Sequence, residues 1–154
     1  MEMDMRRVFC IFLIITALFA FTSCGETRPA GELLSEFVSA YGAEGILYLS
    51  SAQPGEDGYI EYDLLKKIYV FYRDYPEEFA IFLNSHADYG SECGVFVCED
   101  AGEAADVSEM CLERIRLLDR RGEESFVIRE GCVVFYSTMS NGDRARKVWK
   151  AVAK

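Results

Sequence analysis

The apolar and polar positions of the chain switch between helix-like and strand-like spacing. Apolar side chains recur every three or four positions over residues 31–41, and Gly42 follows as a C-terminal cap, so this stretch is predicted to be a helix. A short apolar run at 46–49 predicts a strand. A broad apolar stripe over 61–73 predicts a second helix, which we expect to be buried in a wide groove of its own domain.

Residues 76–84 carry two conflicting signals. Pro76 followed by two acidic residues is typical of a helix start, whereas Phe79, Ile81 and Leu83 alternate as in a strand. We favour the strand.

The second half of the chain has a clearer pattern. In residues 92–98 both alternating sets are apolar or small, which predicts a central strand covered on both faces. Asp100 and Glu103 have the spacing of a helix N-cap and its partner. The elements predicted after residue 98 are a helix from 100, strands at 125–129 and 132–138 joined by a tight turn at Glu130-Gly131, and a helix from 141. In order, the elements predict a single α+β domain over 32–154, with a mostly antiparallel sheet of about five strands packed with about four helices.

The N-terminal segment has a different pattern. Two arginines precede an apolar run at 8–21, and small residues then lead to Cys24. This order is typical of an export signal. As a helix the run would span about 21 Å, which is short of the roughly 30 Å of a hydrocarbon core. An uncleaved short anchor and a cytosolic apolar helix are the alternatives.

Residues 21–24 (FTSC) resemble the lipobox of bacterial lipoproteins. In those proteins the cysteine thiol is diacylated and the leader is cut just before it. The resemblance therefore implies a signal peptide over 1–23, a lipidated Cys24 that begins a tether over 24–31, and a location on the extracytoplasmic face of the cell membrane.

A second resemblance covers most of the domain. The motif CGVFVC at 93–98, Met110 and Cys111 with Arg114, and the strand after Gly131 resemble an uncharacterised family of small exported lipoproteins of Gram-positive bacteria. That family implies no known activity, so no catalytic residue is assigned from it.

The charge of the chain narrows the choice of partners. The net charge is −10 at pH 7, and because the charges of residues 1–23 cancel, all of it belongs to the domain. Such a domain is repelled by nucleic acid and by anionic lipid, so we expect no nucleic-acid partner and a domain that stands off the membrane. The last helix is the exception, because it carries the basic residues Arg144, Arg146, Lys147 and Lys150. These residues either pair with the domain's own acids or dock an anionic partner or membrane.

The cysteines and the single histidine offer little chemistry. Cys93, Cys98, Cys111 and Cys132 form either two disulfides or four small apolar core positions, and we favour the core positions. A thiol nucleophile with His86 as its base is the catalytic alternative. No paired ligand spacing is present, so we expect no metal site and no cofactor.

Two further sets of residues are candidates for a binding site. Arg114 falls beside the apolar stripe of its helix, so we expect an ion pair with Glu92 or Glu99, or an anion site in a cleft. The breadth of the apolar stripe at 61–73 suggests that edge aromatics form an interaction surface, namely Tyr62, Tyr69 and Tyr75.

These patterns favour a membrane-anchored extracytoplasmic lipoprotein with a non-catalytic binding domain, whose partner is another envelope protein. The alternatives are an envelope enzyme that uses a thiol or hydrolyses its substrate, and a carrier of a small ligand or metal.

Overall fold

The chain folds around one antiparallel sheet. The structure, a computed structural model, describes residues 27–70, 76–84, 91–118 and 124–154. Within them, four helices pack on a sheet of five strands, which confirms the predicted single α+β domain. In chain order the elements are α1 (Ala30–Tyr41), β1 (Gly45–Leu49), α2 (Tyr62–Ile68), β2 (Glu78–Asn84), β3 (Glu92–Val97), α3 (Ala101–Leu117), β4 (Phe126–Glu130), β5 (Val133–Ser137) and α4 (Gly142–Val152).

The strands lie in the order β1-β2-β3-β5-β4, and every neighbouring pair is antiparallel. The central strand is β3, where Val95 pairs with Ala80 of β2 on one side and with Phe135 of β5 on the other. Residues 92–96 are all buried. A strand that is apolar on both faces needs a layer on each side of the sheet, as its sequence predicted.

One face of the sheet is covered by α1 and α4. Phe37 of α1 and Trp149 of α4 are buried there against Val95 and Phe135. The rings of Trp149 and Phe135 stack with their centroids 4.1 Å apart and an interplanar angle of 4°. The amphipathic faces of these two helices therefore close one half of the core.

The opposite face is covered by α2 and α3. Val107 and Cys111 of α3 are buried there with Phe96 and Tyr136 of the sheet. The shorter α2 contributes Leu65, its only buried residue. This helix is consequently held to the sheet by much less apolar surface than the 17-residue α3.

Side chains cap the two helices whose starts the sequence indicates. Asp100 Oδ1 accepts hydrogen bonds from the backbone N–H groups of Gly102 at 2.7 Å and Glu103 at 2.8 Å. Glu103 in turn accepts one from the backbone N–H of Glu99 at 2.6 Å. At α4, Asn141 is the N-cap. These bonds satisfy N–H groups that have no partner inside the helix.

Three element boundaries test the sequence predictions. Residues 76–84 contain the strand β2, which confirms the favoured interpretation. The second helix ends at Ile68 instead of 73, because Tyr69 has an extended backbone with φ −116° and ψ 127°; residues 71–73 lie outside the described residues. In the β4–β5 hairpin Glu130 pairs with Val133, so the turn lies one residue later than predicted.

The chain enters the domain beside the end of α4. Arg28 donates through Nη1 to the carbonyl oxygen of Val152 at 3.0 Å and through Nη2 to Glu36 at 2.7 Å. The backbone N–H of Ala30 donates to Glu78 at 2.6 Å. These contacts fix the entry point of the chain to α1, α4 and β2. None of the helices in the described ranges has the length and apolar composition needed to cross a membrane.

Candidate functional site

A buried ion pair joins α3 to the central strand. Arg114, in the last turn of α3, donates through Nε and Nη2 to the two carboxylate oxygens of Glu92, both at 2.7 Å. The side chains are 17% and 3% exposed, respectively. Of the two acids predicted for this arginine, Glu92 is therefore its partner. Glu99 is exposed and instead donates its backbone N–H to Glu103.

Two tyrosines extend this ion pair into the core. The hydroxyl of Tyr136 donates to Glu92 Oε1 at 2.7 Å, and the hydroxyls of Tyr136 and Tyr69 share a hydrogen bond of 2.5 Å. Gly94 faces Tyr136 across the β3–β5 pairing. A Cβ atom at Gly94 would lie 2.7 Å from Cε1 of Tyr136, so the tyrosine ring fits only because no side chain is present there.

The environment fixes the protonation of this network. Burial, and next the negative charge of Glu92, raise the pKa of both Tyr69 and Tyr136 well above 10, so both hydroxyls keep their protons. Burial lowers the pKa of Arg114, but the hydrogen bonds and charge of Glu92 outweigh it and raise that pKa overall. The arrangement holds α2 and α3 on the sheet, with the charges of Arg114 and Glu92 satisfied by each other.

Three of the cysteines are buried free thiols. Cys93, Cys98 and Cys111 form no disulfide, whereas Cys132 is disulfide-bonded. Two disulfides among the four domain cysteines therefore do not form, and the favoured prediction of four free core positions is confirmed for Cys93, Cys98 and Cys111 and wrong for Cys132. Burial raises the pKa of Cys93 and Cys111. It also raises the pKa of Cys98 to about 12, with further contributions from the charges of Glu103 and Asp100. Because the thiolate is the nucleophile, these thiols are unreactive near neutral pH.

No metal site emerges from the part of the chain described above, where no cluster of three or more His, Cys, Asp or Glu side chains is suitably placed. His86 lies outside that part, as does Cys24, so the predictions made for those two residues stay predictions.

The predicted aromatic surface is only partly exposed. Tyr62 on α2 is 47% exposed, but Tyr69 is fully buried, so its assignment to the surface is wrong. The reason is that the extended backbone after α2 directs Tyr69 into the core, where its hydroxyl meets Tyr136. Tyr75 lies outside the described residues. Leu64 and Val70 are also exposed, at 45% and 44%, so three apolar side chains are exposed in α2 and the two residues after it.

The basic residues of α4 fall into two groups. The guanidinium carbon of Arg144 lies 4.8 Å from the ring centroid of Tyr41, and that of Arg146 lies 3.9 Å from the ring centroid of Phe126. These arginines pack on aromatic rings of the domain itself. Lys147 and Lys150 are exposed, and so is Lys154, which lies two residues after the end of α4.

A cleft of about 290 Å³ lies where the chain enters the domain. Trp149 forms part of its wall, although the indole Nε1 is buried and makes no hydrogen bond to a described residue. Residues near both ends of the described chain line the cleft. Its lining residues are Thr27, Arg28, Leu33, Glu130, Val133, Trp149, Ala153 and Lys154.

Sequence reasoning found Arg114 and Glu92 but missed the two tyrosine hydroxyls. The available signal was Gly94, because a glycine in the interior of a strand often marks the close approach of another group.

The chain was also compared with known proteins. No model of a protein family matches it, and it matches neither a curated protein nor a solved structure. The resemblance to small exported lipoproteins consequently stays a prediction.

Proposed function

We propose that this protein is a lipid-anchored lipoprotein on the extracytoplasmic face of the cell membrane, whose domain acts by binding another envelope protein. The observation that carries the binding role is the exposure of apolar side chains in and just after α2. Three exposed apolar side chains, Tyr62, Leu64 and Val70, occur within this short helix and the two residues after it.

Single exposed apolar residues are normal on protein surfaces. Here, however, the same helix fully buries only Leu65, and both Tyr62 and Leu64 are exposed. A helix normally places its apolar stripe against its own domain. These exposed side chains are available to a partner protein, which would bury them and strengthen the attachment of α2 to the sheet.

The N-terminal segment supports the proposed location. The apolar run at 8–21 and the FTSC motif at 21–24 support export and lipidation. The contacts of Arg28 with Glu36 and Val152 support a short tether, because they fix the domain only four residues after Cys24.

The thiol-enzyme alternative has less support. Its candidate nucleophiles Cys93, Cys98 and Cys111 are buried with raised pKa values, whereas a catalytic thiol has a lowered pKa and access to substrate.

Two measurements test the proposal. For the anchor, cells are labelled with a radioactive fatty acid; we expect labelled wild-type protein in the membrane and no label on Cys24→Ala. For the binding role, a photo-reactive amino acid is placed at position 64 in living cells, with position 109 on the exposed side of α3 as the matched control. We expect a discrete cross-linked product from position 64, weakened by Tyr62→Ser/Val70→Ser. Equal products from both positions, or none from position 64, would contradict the binding role.

A further inference from the structure

The exposed lysines of α4 and of the residues just after it form one basic stripe. Lys147, Lys150 and Lys154 follow each other at intervals of three and four residues, so they lie on one side of the helix and its C-terminal end. Ala145, Trp149 and Val152 point the opposite way, into the core. All three lysines are exposed, and none forms an ion pair with a residue in the described ranges. We call these three residues the lysine stripe.

Many acids of the domain lie away from the stripe, although Asp143 is on α4 itself and Glu32 is on the neighbouring α1. On the other face of the sheet, α3 carries four acidic residues along its length, and they are Glu103, Asp106, Glu109 and Glu113. The sheet therefore separates a helix with a basic outer side from a helix rich in acids. The net charge of −10 does not describe every face of the domain, and the sign of its interaction with a charged surface depends on orientation.

The entry point of the chain fixes which face is near the membrane. Arg28 is bonded to Val152 at the end of α4, and Thr27 and Lys154 line the same cleft. From Cys24 to Arg28 the extended chain reaches at most about 14 Å. The rise of an α-helix puts Lys147 only about 10 Å along α4 from Lys154. An anchor at Cys24 thus keeps the whole stripe close to the lipid headgroups.

From this geometry we infer that the lysine stripe docks on anionic phospholipid headgroups, so that the domain lies on the membrane through α4 with α3 turned away. The inference rests on the lipid anchor of the proposed function. Each lysine near an anionic leaflet raises the ratio of docked to undocked protein about fivefold. Three lysines therefore raise this ratio on the order of 100-fold at low salt. This orientation leaves α2, on the far face of the sheet, free for a protein partner.

Energy transfer from Trp149 reports the distance of α4 from the membrane. Trp149 is the only tryptophan of the chain, and it lies in α4 between Lys147 and Lys150. The full protein, purified from membranes, is added to vesicles that contain a dansyl-labelled lipid. One set is otherwise phosphatidylcholine, and the other also contains phosphatidylglycerol. We expect stronger transfer on the phosphatidylglycerol vesicles, which falls to the phosphatidylcholine level at high salt.

The variant Lys147→Glu/Lys150→Glu/Lys154→Glu should lose the difference between the two vesicle types. The matched control, Lys66→Glu/Lys67→Glu on α2, should retain it. Equal transfer on both vesicle types by the wild type, or equal loss in both variants, would overturn the inference. A missing anchor gives a different result, because the protein would then fail to float with either set of vesicles. Unchanged urea midpoints of the variants establish that their fold is intact.

Discussion

Removal of the Arg114 side chain is expected to strand a buried charge. The Arg114→Met substitution deletes two of the three side-chain hydrogen bonds to the Glu92 carboxylate, and only the bond from Tyr136 is left. Because the Glu92 side chain is 3% exposed, water does not replace the lost bonds. Breaking a buried pair in this way costs about 3–5 kcal/mol of unfolding free energy. In a domain of this size the midpoint of thermal unfolding would fall by roughly 10–20 °C.

The double variant Arg114→Met/Glu92→Gln separates the ion pair from simple packing. It removes both charges but keeps the shape of residue 92 and an acceptor for Tyr136. We expect it to be more stable than Arg114→Met alone, with a coupling energy of at least about 2 kcal/mol in a double-mutant cycle. The matched control is the exposed pair of Arg116 and Glu113 on the same helix, whose double-mutant cycle should show no measurable coupling.

Urea unfolding followed by Trp149 fluorescence provides the measurement. Trp149 is stacked on Phe135 in the core, so its emission changes when the domain unfolds. If the double variant is as unstable as Arg114→Met, the stranded-charge reasoning is refuted and the loss belongs to packing of the arginine stem.

Three other predictions concern single positions. Gly94→Ala would push a methyl group against Tyr136, and urea unfolding should show a loss of about 1–3 kcal/mol. Asp100→Ala removes the acceptor of two N–H groups at the start of α3 and should cost about 1 kcal/mol by the same assay, while Glu109→Ala, the control on the exposed side of that helix, should change little. Because burial raises the pKa of Cys98 to about 12, its contribution to stability is complete below about pH 9 and is lost as the pH rises toward 12. Urea midpoints measured across that interval should therefore fall less steeply in Cys98→Ala than in the wild type, and equal slopes would contradict the assignment.

Local pattern was sufficient for the elements and their type. The spacing of apolar residues depends on whether a segment is a helix or a strand, and caps such as Asp100 act within one turn of the chain. Both are visible without the fold, which is why the central strand at 92–97 and the start of α3 follow directly from the sequence. The same applies to the free, buried thiols, since Cys93 and Cys111 occupy apolar positions in their elements.

The partner of Arg114 depended on how α3 lies on the sheet. This helix runs back over β3, and its rise carries Arg114 about 20 Å from Ala101, which is roughly the length of the strand. Arg114 therefore reaches Glu92 at the start of β3, while Glu99 stays at the other end.

The position of Tyr69 was likewise decided by contacts distant in sequence. A helical stripe at 61–73 predicted an exposed edge, but the hydroxyl of Tyr136 and the space above Gly94 lie on other strands. Chain segments far apart in the sequence create that buried acceptor and that space, so the local pattern around Tyr69 could not indicate them. The sequence by itself thus determined the elements of this protein, and the tertiary structure decided which side chains meet between them.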